Sequence, residues 1–369
     1  MKKILGVVIP LAMLALVGLS LWYVSFRFSS LFNLTSNWTI FSFVTAAMVG
    51  SLTAILAGVK SKNQFVGFFN IMGGYFILFY VYTLFLLLIL HAAQLIWDLN
   101  TFWSAVTAMI VALIVTAAGA LKASKLAVKE TVIQLPGLKK ELSVMHISDV
   151  HLGHHNSREY LARIVRETNL RKPDFVLING DLVDSNAALL PGVLDPLSDF
   201  AAPIYYVGGN HEKYINNARV LELIRQQGGR SLHNEVVKIH GLQLVGLDYM
   251  NADEHTFDMH SSDHTETIQS TLSGLSLNKN MPTVLMHHSP VGIQYAEAAG
   301  VDLMLSGHTH AGQVFPFTLL NELVFKYNKG LHQYGKTKIL VSSGAGTYML
   351  RIRLGTSNEM NMLRLLPGK

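Results

Sequence analysis

Hydrophobic positions along this chain change character once. Up to residue 121 they form four nearly unbroken runs, at 4–24, 38–59, 68–92 and 102–121. About 20 apolar residues in a helix are enough to cross a hydrocarbon layer. Each run therefore predicts a membrane-spanning helix, and residues 1–121 a transmembrane domain. The first run is longer than the usual apolar core of a signal peptide, so a span is the expected reading. Gly73 and Gly74, inside the third run, are expected to ease helix packing.

Beyond residue 140 the apolar runs are short and alternate with helical periodicity. The stretches 142–148, 174–179, 203–209, 282–288, 301–307, 338–344 and 361–366 predict strands, and 236–248 a hairpin or two short strands. Between them, 158–170, 218–228 and the segment GIQYAEAAG predict helices. Strands alternating with helices predict an α/β domain over 142–369, with antiparallel pieces late in the chain. Residues 122–141 carry Lys122, Lys125 and Lys129 and read as a basic linker able to touch anionic headgroups or solvent.

Composition sharpens this division. Residues 1–121 hold six charged side chains: Lys2, Lys3, Arg27, Lys60, Lys62 and Asp98. The lysines flank the first span, the turn between the second and third, and the end of the fourth. By the positive-inside rule both termini and the whole second domain are expected in the cytoplasm, on a multi-pass protein of the cytoplasmic membrane. The formal charge of +5 includes no long basic run, so nucleic acid is not an expected partner. With no cysteine, thiol catalysis, disulfides and cysteine-zinc sites are excluded.

The chemistry lies in the histidines, which all follow residue 140 except His91, expected at a membrane interface. In the second domain polar residues fall at predicted strand ends. Asp149 and His151 stand in SDVHLG, Asp181 in GDLVD, and Asn210 and His211 in GGNHE. His287 and His288 stand in MHHSP, and His308 and His310 in SGHTHAG. Ligands of α/β sheets gather beyond the carboxyl ends of the strands, so these motifs are expected to converge. Carboxylate, amide and imidazole donors suit borderline divalent metals. So many donors exceed one tetrahedral ion and suit two ions sharing a carboxylate, a clamp for in-line displacement at phosphorus.

The ordered set DxH, GD, GNHE, His-x-Pro and GHxH resembles the calcineurin-like metallophosphoesterase superfamily, and most nearly its bacterial membrane-associated branch of YkuE-like and YaeI-like enzymes. The likeness covers about residues 142–366. It implies a four-layer α/β/β/α metallophosphoesterase sandwich, here preceded by a four-helix transmembrane region. It implies that Asp149, His151 and His310 hold a first metal, that Asn210 and His308 hold a second, and that Asp181 bridges them. His211 would protonate the leaving oxygen. The remaining ligand is His287 or His288; the family's His-x-Pro favours His288. The two ions are expected to be Mn, Fe or Zn.

The resemblance thus implies a membrane-anchored phosphoesterase acting by attack of metal-bound hydroxide on a phosphodiester, phosphomonoester or pyrophosphate. Membrane attachment suggests a lipid-linked substrate and contact with membrane lipid. The alternative is a signalling or sensor protein that uses the same domain to bind metal or ligand. Glu212 is expected to orient its loop, His146 to be a satisfied core residue, and the His- and Asp-rich stretch 251–270 to be a polar loop near the cleft.

Overall fold

The computed structural model describes residues 2–31, 37–256, 262 and 265–368. The chain divides into two compact units, Met1–Ala57 with Phe68–Gly119, and Gly58–Gly67 with Ala120–Lys369.

Four helices carry the apolar runs: α1 (Lys2–Leu31), α2 (Asn37–Lys60), α3 (Gln64–Ala93) and α4 (Thr101–Ala123). All four are long and apolar enough to cross a membrane. Leu21, Val24, Met48, Tyr80, Leu87, Ala105 and Ala108 form the interior of this unit, while leucines such as Leu14, Leu56 and Leu113 point outward. That is the reverse of a water-soluble bundle and suits a lipid surround. A side chain at Gly73 would strike the backbone of Ser51, so the expected packing role fits this close approach of α3 to α2. Some polar groups inside the unit are paired between its segments. Ser20 meets the Tyr80 hydroxyl at 2.8 Å, and the Arg27 guanidinium donates to Gln94 Oε1 at 2.8 Å.

The second unit runs β1 (Leu126–Pro136), β2 (Leu142–Ile147), α5 (Arg158–Asn169), β3 (Phe175–Asn179), β4 (Ile204–Val207), α6 (Asn210–Ile215) and α7 (Asn217–Gln226). It continues through β5 (Arg230–Ser231), β6 (Glu235–Ile239), β7 (Leu242–Gly246), α8 (Ile268–Gly274), β8 (Thr283–Met286) and α9 (Ile293–Ala299). It ends with β9 (Leu303–Ser306), α10 (Phe317–Val324), β10 (Gly330–Tyr334), β11 (Thr337–Val341) and β12 (Asn358–Gly368). The strands form two six-stranded sheets, ordered β1-β12-β2-β3-β4-β5 and β10-β11-β9-β8-β7-β6. Strands β2, β3 and β4 are mutually parallel in the first sheet, and β7, β8 and β9 in the second.

Three apolar layers explain the stacking. Val144, Phe175 and Leu177 of the first sheet meet Leu244, Met286 and Leu305 of the second between the sheets. The outer face of the first sheet packs Ile147 and Ile178 against Leu161, Ile164 and Ile224 of α5 and α7. The outer face of the second packs Val245 and Met304 against Ile268, Ile293 and Ala296 of α8 and α9. Two sheets face to face with helices outside make the four-layer sandwich expected from the motifs.

One expectation of the sequence changes. The span read as a linker, 122–141, is mostly strand: β1 pairs in parallel with β12 from Leu126↔Asn358 to Pro136↔Gly368. The reason is period-2 patterning that its charges hide. Leu126 and Val128 pack on the outer core, whereas Ile133 and Leu135 turn to the opposite face between the sheets. Lys129, although exposed, is tethered by an ion pair to the buried Glu359.

Candidate metal centre

Five loops following β2, β3, β4, β8 and β9 bring the polar motifs together at one edge of the paired sheets. Parallel strands send their carboxyl ends to the same side, so motifs distant in sequence share a crevice. The turns are tight. Asp149, His151, Asp181, His308 and His310 all have positive φ, between 49° and 70°. Non-glycine residues avoid this region, at roughly 1–3 kcal/mol each, and such strain gathers at functional sites. Gly307 allows the closest approach: a Cβ there would overlap both Ser148 Oγ and Asp149 Oδ2.

Two clusters result. In the first, Asp149, His151 and His310 present ligand atoms within 4.8 Å of one another. His310 Nε2 lies 3.3 Å from Asp149 Oδ1 and 3.0 Å from His151 Nε2. In the second, Asp181, His288 and His308 do the same. His288 Nε2 lies 3.1 Å from Asp181 Oδ2, and His308 Nδ1 lies 2.9 Å from the Asn210 amide oxygen. Asp181 Oδ2 is also 3.8 Å from His151 Nε2, so this carboxylate stands between the clusters. All seven residues expected as ligands from the sequence are therefore gathered, and all but His308 are buried.

The paired histidines of MHHSP diverge, as neighbours in extended chain must. His288 turns into the cluster and is held from behind by Nδ1, 2.7 Å from the Asn179 carbonyl. His287 turns away, with Nδ1 2.8 Å from the Ser289 carbonyl.

These donors fit divalent cations. Two imidazole nitrogens 3.0 Å apart, both facing a carboxylate, leave lone pairs that one shared proton cannot satisfy. His288 Nε2 is buried and has no well-formed hydrogen bond. Mixed Asp, Asn and His donors around such a space suit Mn, Fe or Zn.

Electrostatics favour an ionised bridge. Burial opposes charge on Asp181, but His288 and His211 outweigh it and hold the carboxyl well below the usual range. Burial likewise pulls His288 down, yet Asp181 and Asp149 raise it to about 10. Here the protons stand in for the positive charge that cations supply. His211 behaves similarly: burial lowers it, while Asp181 and the hydrogen-bonded Asp184 carry it up to about 9.

Four neighbours complete the site. Glu212 is fully buried and accepts from the backbone N–H of Gly209 at 2.8 Å, Leu182 at 2.7 Å and Asp181 at 3.2 Å, tying the GD loop to the GNHE loop. The orienting role expected for it has this geometry. Asp184 is a participant that the motif reading passes over. Its Oδ1 lies 3.2 Å from His151 Nδ1 and 2.9 Å from His211 Nδ1, and the three form a third group of candidate ligands. The signal is present in GDLVD, whose second acid follows Asp181 by three residues. Arg353 is fully buried behind His310, donating to its carbonyl at 2.9 Å and lying 3.2 Å from its Nδ1. No local motif announces it. Tyr348 packs, tilted or edge-on, near His151, His211 and His310, with ring centroids 5.9, 6.0 and 5.3 Å away.

Two expectations outside the cluster fare differently. His146 is buried as expected, but neither ring nitrogen has a hydrogen-bond partner, so it is not a satisfied core residue. Of the polar stretch 251–270, residues 257–261, 263 and 264 lie outside the described residues. Its Asp253 accepts from Thr256 and from the Tyr295 hydroxyl, and the three candidate ligand groups among the described residues do not draw on it.

Comparison with known proteins agrees with this geometry. The profile of the family described as calcineurin-like phosphoesterase matches residues 142–312. The chain is similar to an uncharacterized metallophosphoesterase of Helicobacter pylori strain J99, at 38% identity over 245 residues, covering 65% of this chain and 64% of that protein. The chain thus spans a little under two thirds of that relative. An uncharacterized metallophosphoesterase of Aquifex aeolicus strain VF5 is 30% identical over 251 residues, 65% of this chain and 91% of the relative. A Bos taurus protein named as a transmembrane protein with metallophosphoesterase domain is 33% identical over 254 residues, 64% of this chain and 56% of its own. With the full set of DxH, GD, GNHE and GHxH side chains gathered at one sheet edge, the chain belongs to the calcineurin-like metallophosphoesterases.

Proposed function

We propose that this chain is a membrane-anchored phosphoesterase that uses two divalent metal ions. The observation that carries the reading is the position of Asp181 between the Asp149–His151–His310 group and the His288–His308 group. Asp149, His151 and His310 would hold one ion, Asn210, His288 and His308 the other, and Asp181 both. Bound there, such ions supply Lewis acidity toward a phosphoryl oxygen and make water a better nucleophile at neutral pH.

The chain's own groups then do the following. Asp149, Asp181, Asn210 and the imidazoles would hold the ions, and the ions would supply the positive charge that a phosphoryl oxygen needs there. Water attacks phosphorus in line, and the bond to the leaving oxygen breaks. His211 donates the proton that this oxygen needs. Its Nδ1–H is engaged by Asp184 at 2.9 Å, which leaves Nε2–H for the leaving group. Against burial, Asp181 and Asp184 favour its charged form, the form that can donate.

The four apolar helices support anchoring in a bilayer. The lysines at 2, 3, 60, 62, 122 and 125 support a cytoplasmic catalytic domain. A phosphoester held in the membrane is the substrate this arrangement favours.

Purified full-length protein is expected to contain two metal ions per chain and to hydrolyse methyl 4-nitrophenyl phosphate when loaded with Mn. Asp181→Asn is expected to lose metal and to fall to background activity while keeping its circular dichroism spectrum. A folded, metal-free variant as active as the parent would refute the reading.

A further inference from the structure

The metal-ligand cluster opens into a cavity of about 350 Å³ whose lining has two chemistries. One part is Asp181, Asn210, His211, His308 and His310. The rest is largely apolar, including Val314, Phe317, Leu320, Val324, Phe325 and Leu350. A site for a small polar phosphate ester has no use for this second part, since apolar wall left wet costs free energy that an apolar ligand would recover.

The apolar part is supplied chiefly by α10 and the turn at 348–350. Helix α10, FTLLNELV, has five apolar residues of eight and buries none of them. Leu323 is 84% exposed, Leu320 56% and Leu319 55%, and Met349 stands nearby in the sequence of the facing turn at 46%. The helix is nevertheless fixed at the site. Asn321 Nδ2 donates to the carbonyl of Thr309, the residue between His308 and His310, at 3.3 Å. Gly312 packs so closely on Thr318 that a Cβ there would overlap its backbone. Lys326 and Lys329 follow the helix directly, giving an apolar segment with a basic end. That is the pattern of a short element that lies in a lipid headgroup boundary. The same chain carries four helices able to place it at a bilayer.

Resting on the phosphoesterase reading above, we propose that the apolar part of this cavity receives the hydrocarbon chain of an amphiphilic phosphoester drawn from the lipid leaflet. The phosphorus of that ester occupies the metal-ligand cluster, and the exposed leucines of α10 line the passage from the leaflet. The enzyme is therefore selective for the tail of its substrate as well as for the phosphoester.

The test uses full-length protein in nanodiscs, loaded with Mn, and a series of 4-nitrophenyl phosphodiesters whose second alcohol runs from methanol to octanol. A buried methylene contributes up to about fourfold, so kcat/KM is expected to rise at least about tenfold from methyl to octyl. In Leu320→Asp, which charges the apolar wall at an exposed helix position, the rise is expected to flatten. Nanodisc partitioning is common to both proteins, so the difference between their slopes isolates the cavity. Equal kcat/KM across the series in the parent protein, with the methyl ester turned over, would overturn the tail site and leave the phosphoesterase reading standing. Thermal shifts with methyl to octyl phosphate give a readout that needs no turnover. Shifts that grow with chain length in the parent but not in Leu320→Asp support the tail site even if no ester is hydrolysed, an outcome that would sink the hydrolase reading alone. Shifts independent of length overturn the tail site. A two-chain phosphatidyl 4-nitrophenyl ester dissolved in the nanodisc is expected to be consumed; its survival beside rapid octyl turnover would overturn the leaflet as source.

Discussion

Asp184 Oδ1 lies 2.9 Å from His211 Nδ1, and this contact joins a residue of the GDLVD loop to the proton donor proposed for the leaving group. The same oxygen lies 3.2 Å from His151 Nδ1. One carboxylate therefore orients two imidazoles and raises the pKa of one of them. Outer partners of this kind typically matter by about 10–100-fold in metal affinity or activity. Asp184→Asn is expected to lower kcat by that order. It removes the charge, and weakens the charge-assisted hydrogen bond, that raise His211, so the imidazole loses its proton at lower pH. The alkaline limb of the pH–rate profile should move to lower pH. An unmoved limb would separate Asp184 from the proton donor.

Arg353 has a different relation to the centre. It donates to the carbonyls of His310 at 2.9 Å, Ser343 at 2.7 Å and Gly346 at 2.6 Å, and to Asn358 Oδ1 at 2.7 Å. Its planar fork fits several acceptors at once, which a lysine ammonium does not reproduce. Arg353→Lys leaves buried carbonyls short of donors, at about 1–3 kcal/mol each. The expected result is a stability loss of about 3 kcal/mol or more in denaturant titration, with weaker Mn binding in calorimetry because the His310 loop loosens. Unchanged Mn affinity would confine Arg353 to folding.

His287 and His288 are neighbours with opposite directions, and their substitution should separate. His288→Asn removes the imidazole facing Asp181 and is expected to reduce metal content from two ions toward one, with activity down roughly a hundredfold or more. His287→Asn disturbs the contact with the Ser289 carbonyl instead, and is expected to keep both ions while lowering the thermal midpoint. Elemental analysis of the two purified variants checks this, and the reverse pattern would exchange their roles.

Much of this architecture was legible because its local and distant signals agree. Strands β3, β8 and β9 are largely apolar runs, β2 is one interrupted by Ser143 and His146, and all four give way to glycine or polar residues and are mostly buried. Helices α5 and α7 bury one stripe each, so their spacing is clean. The metal-site motifs sit where those runs end, and their residue types restrict what they can hold. The failures have equally local causes. In β1, Lys129 and Glu130 break the look of an apolar strand, and its two apolar pairs face opposite cores. In α10, no residue is buried, so burial imposes no helical stripe on the sequence to be read. Arg353 acts on His310 across 43 residues, and nothing in LRIRLG marks it as a partner of GHTH. Asp184 stands outside the set DxH, GD, GNHE and GHxH, so no motif marks it as a partner of His211.

His146, which lies outside the proposed ligand set, gives a prediction about acid stability. It is fully buried on β2, both ring nitrogens are without hydrogen-bond partners, and burial pushes it down to about 4 against the pull of Asp149. Its folded pKa lies below its unfolded value of about 6.5, so the unfolded chain takes up the proton first. The stability associated with keeping this ring neutral is complete above about pH 6.5. It is lost progressively as pH falls and is gone near pH 4, a swing of roughly 3 kcal/mol. His155, also buried and lowered to about 4 chiefly by burial, adds to the same acid limb. His146→Leu replaces an unpaired polar ring with an apolar side chain. At pH 8 its stability is expected to stay within about 1.5 kcal/mol of the parent. Between pH 6.5 and 4 the variant should lose less stability than the parent, because one of the two protonation sites is gone. Thermal midpoints of the two proteins measured side by side across pH 4–8 decide it: curves that remain parallel would mean that His146 is already protonated, or already satisfied, in the folded chain.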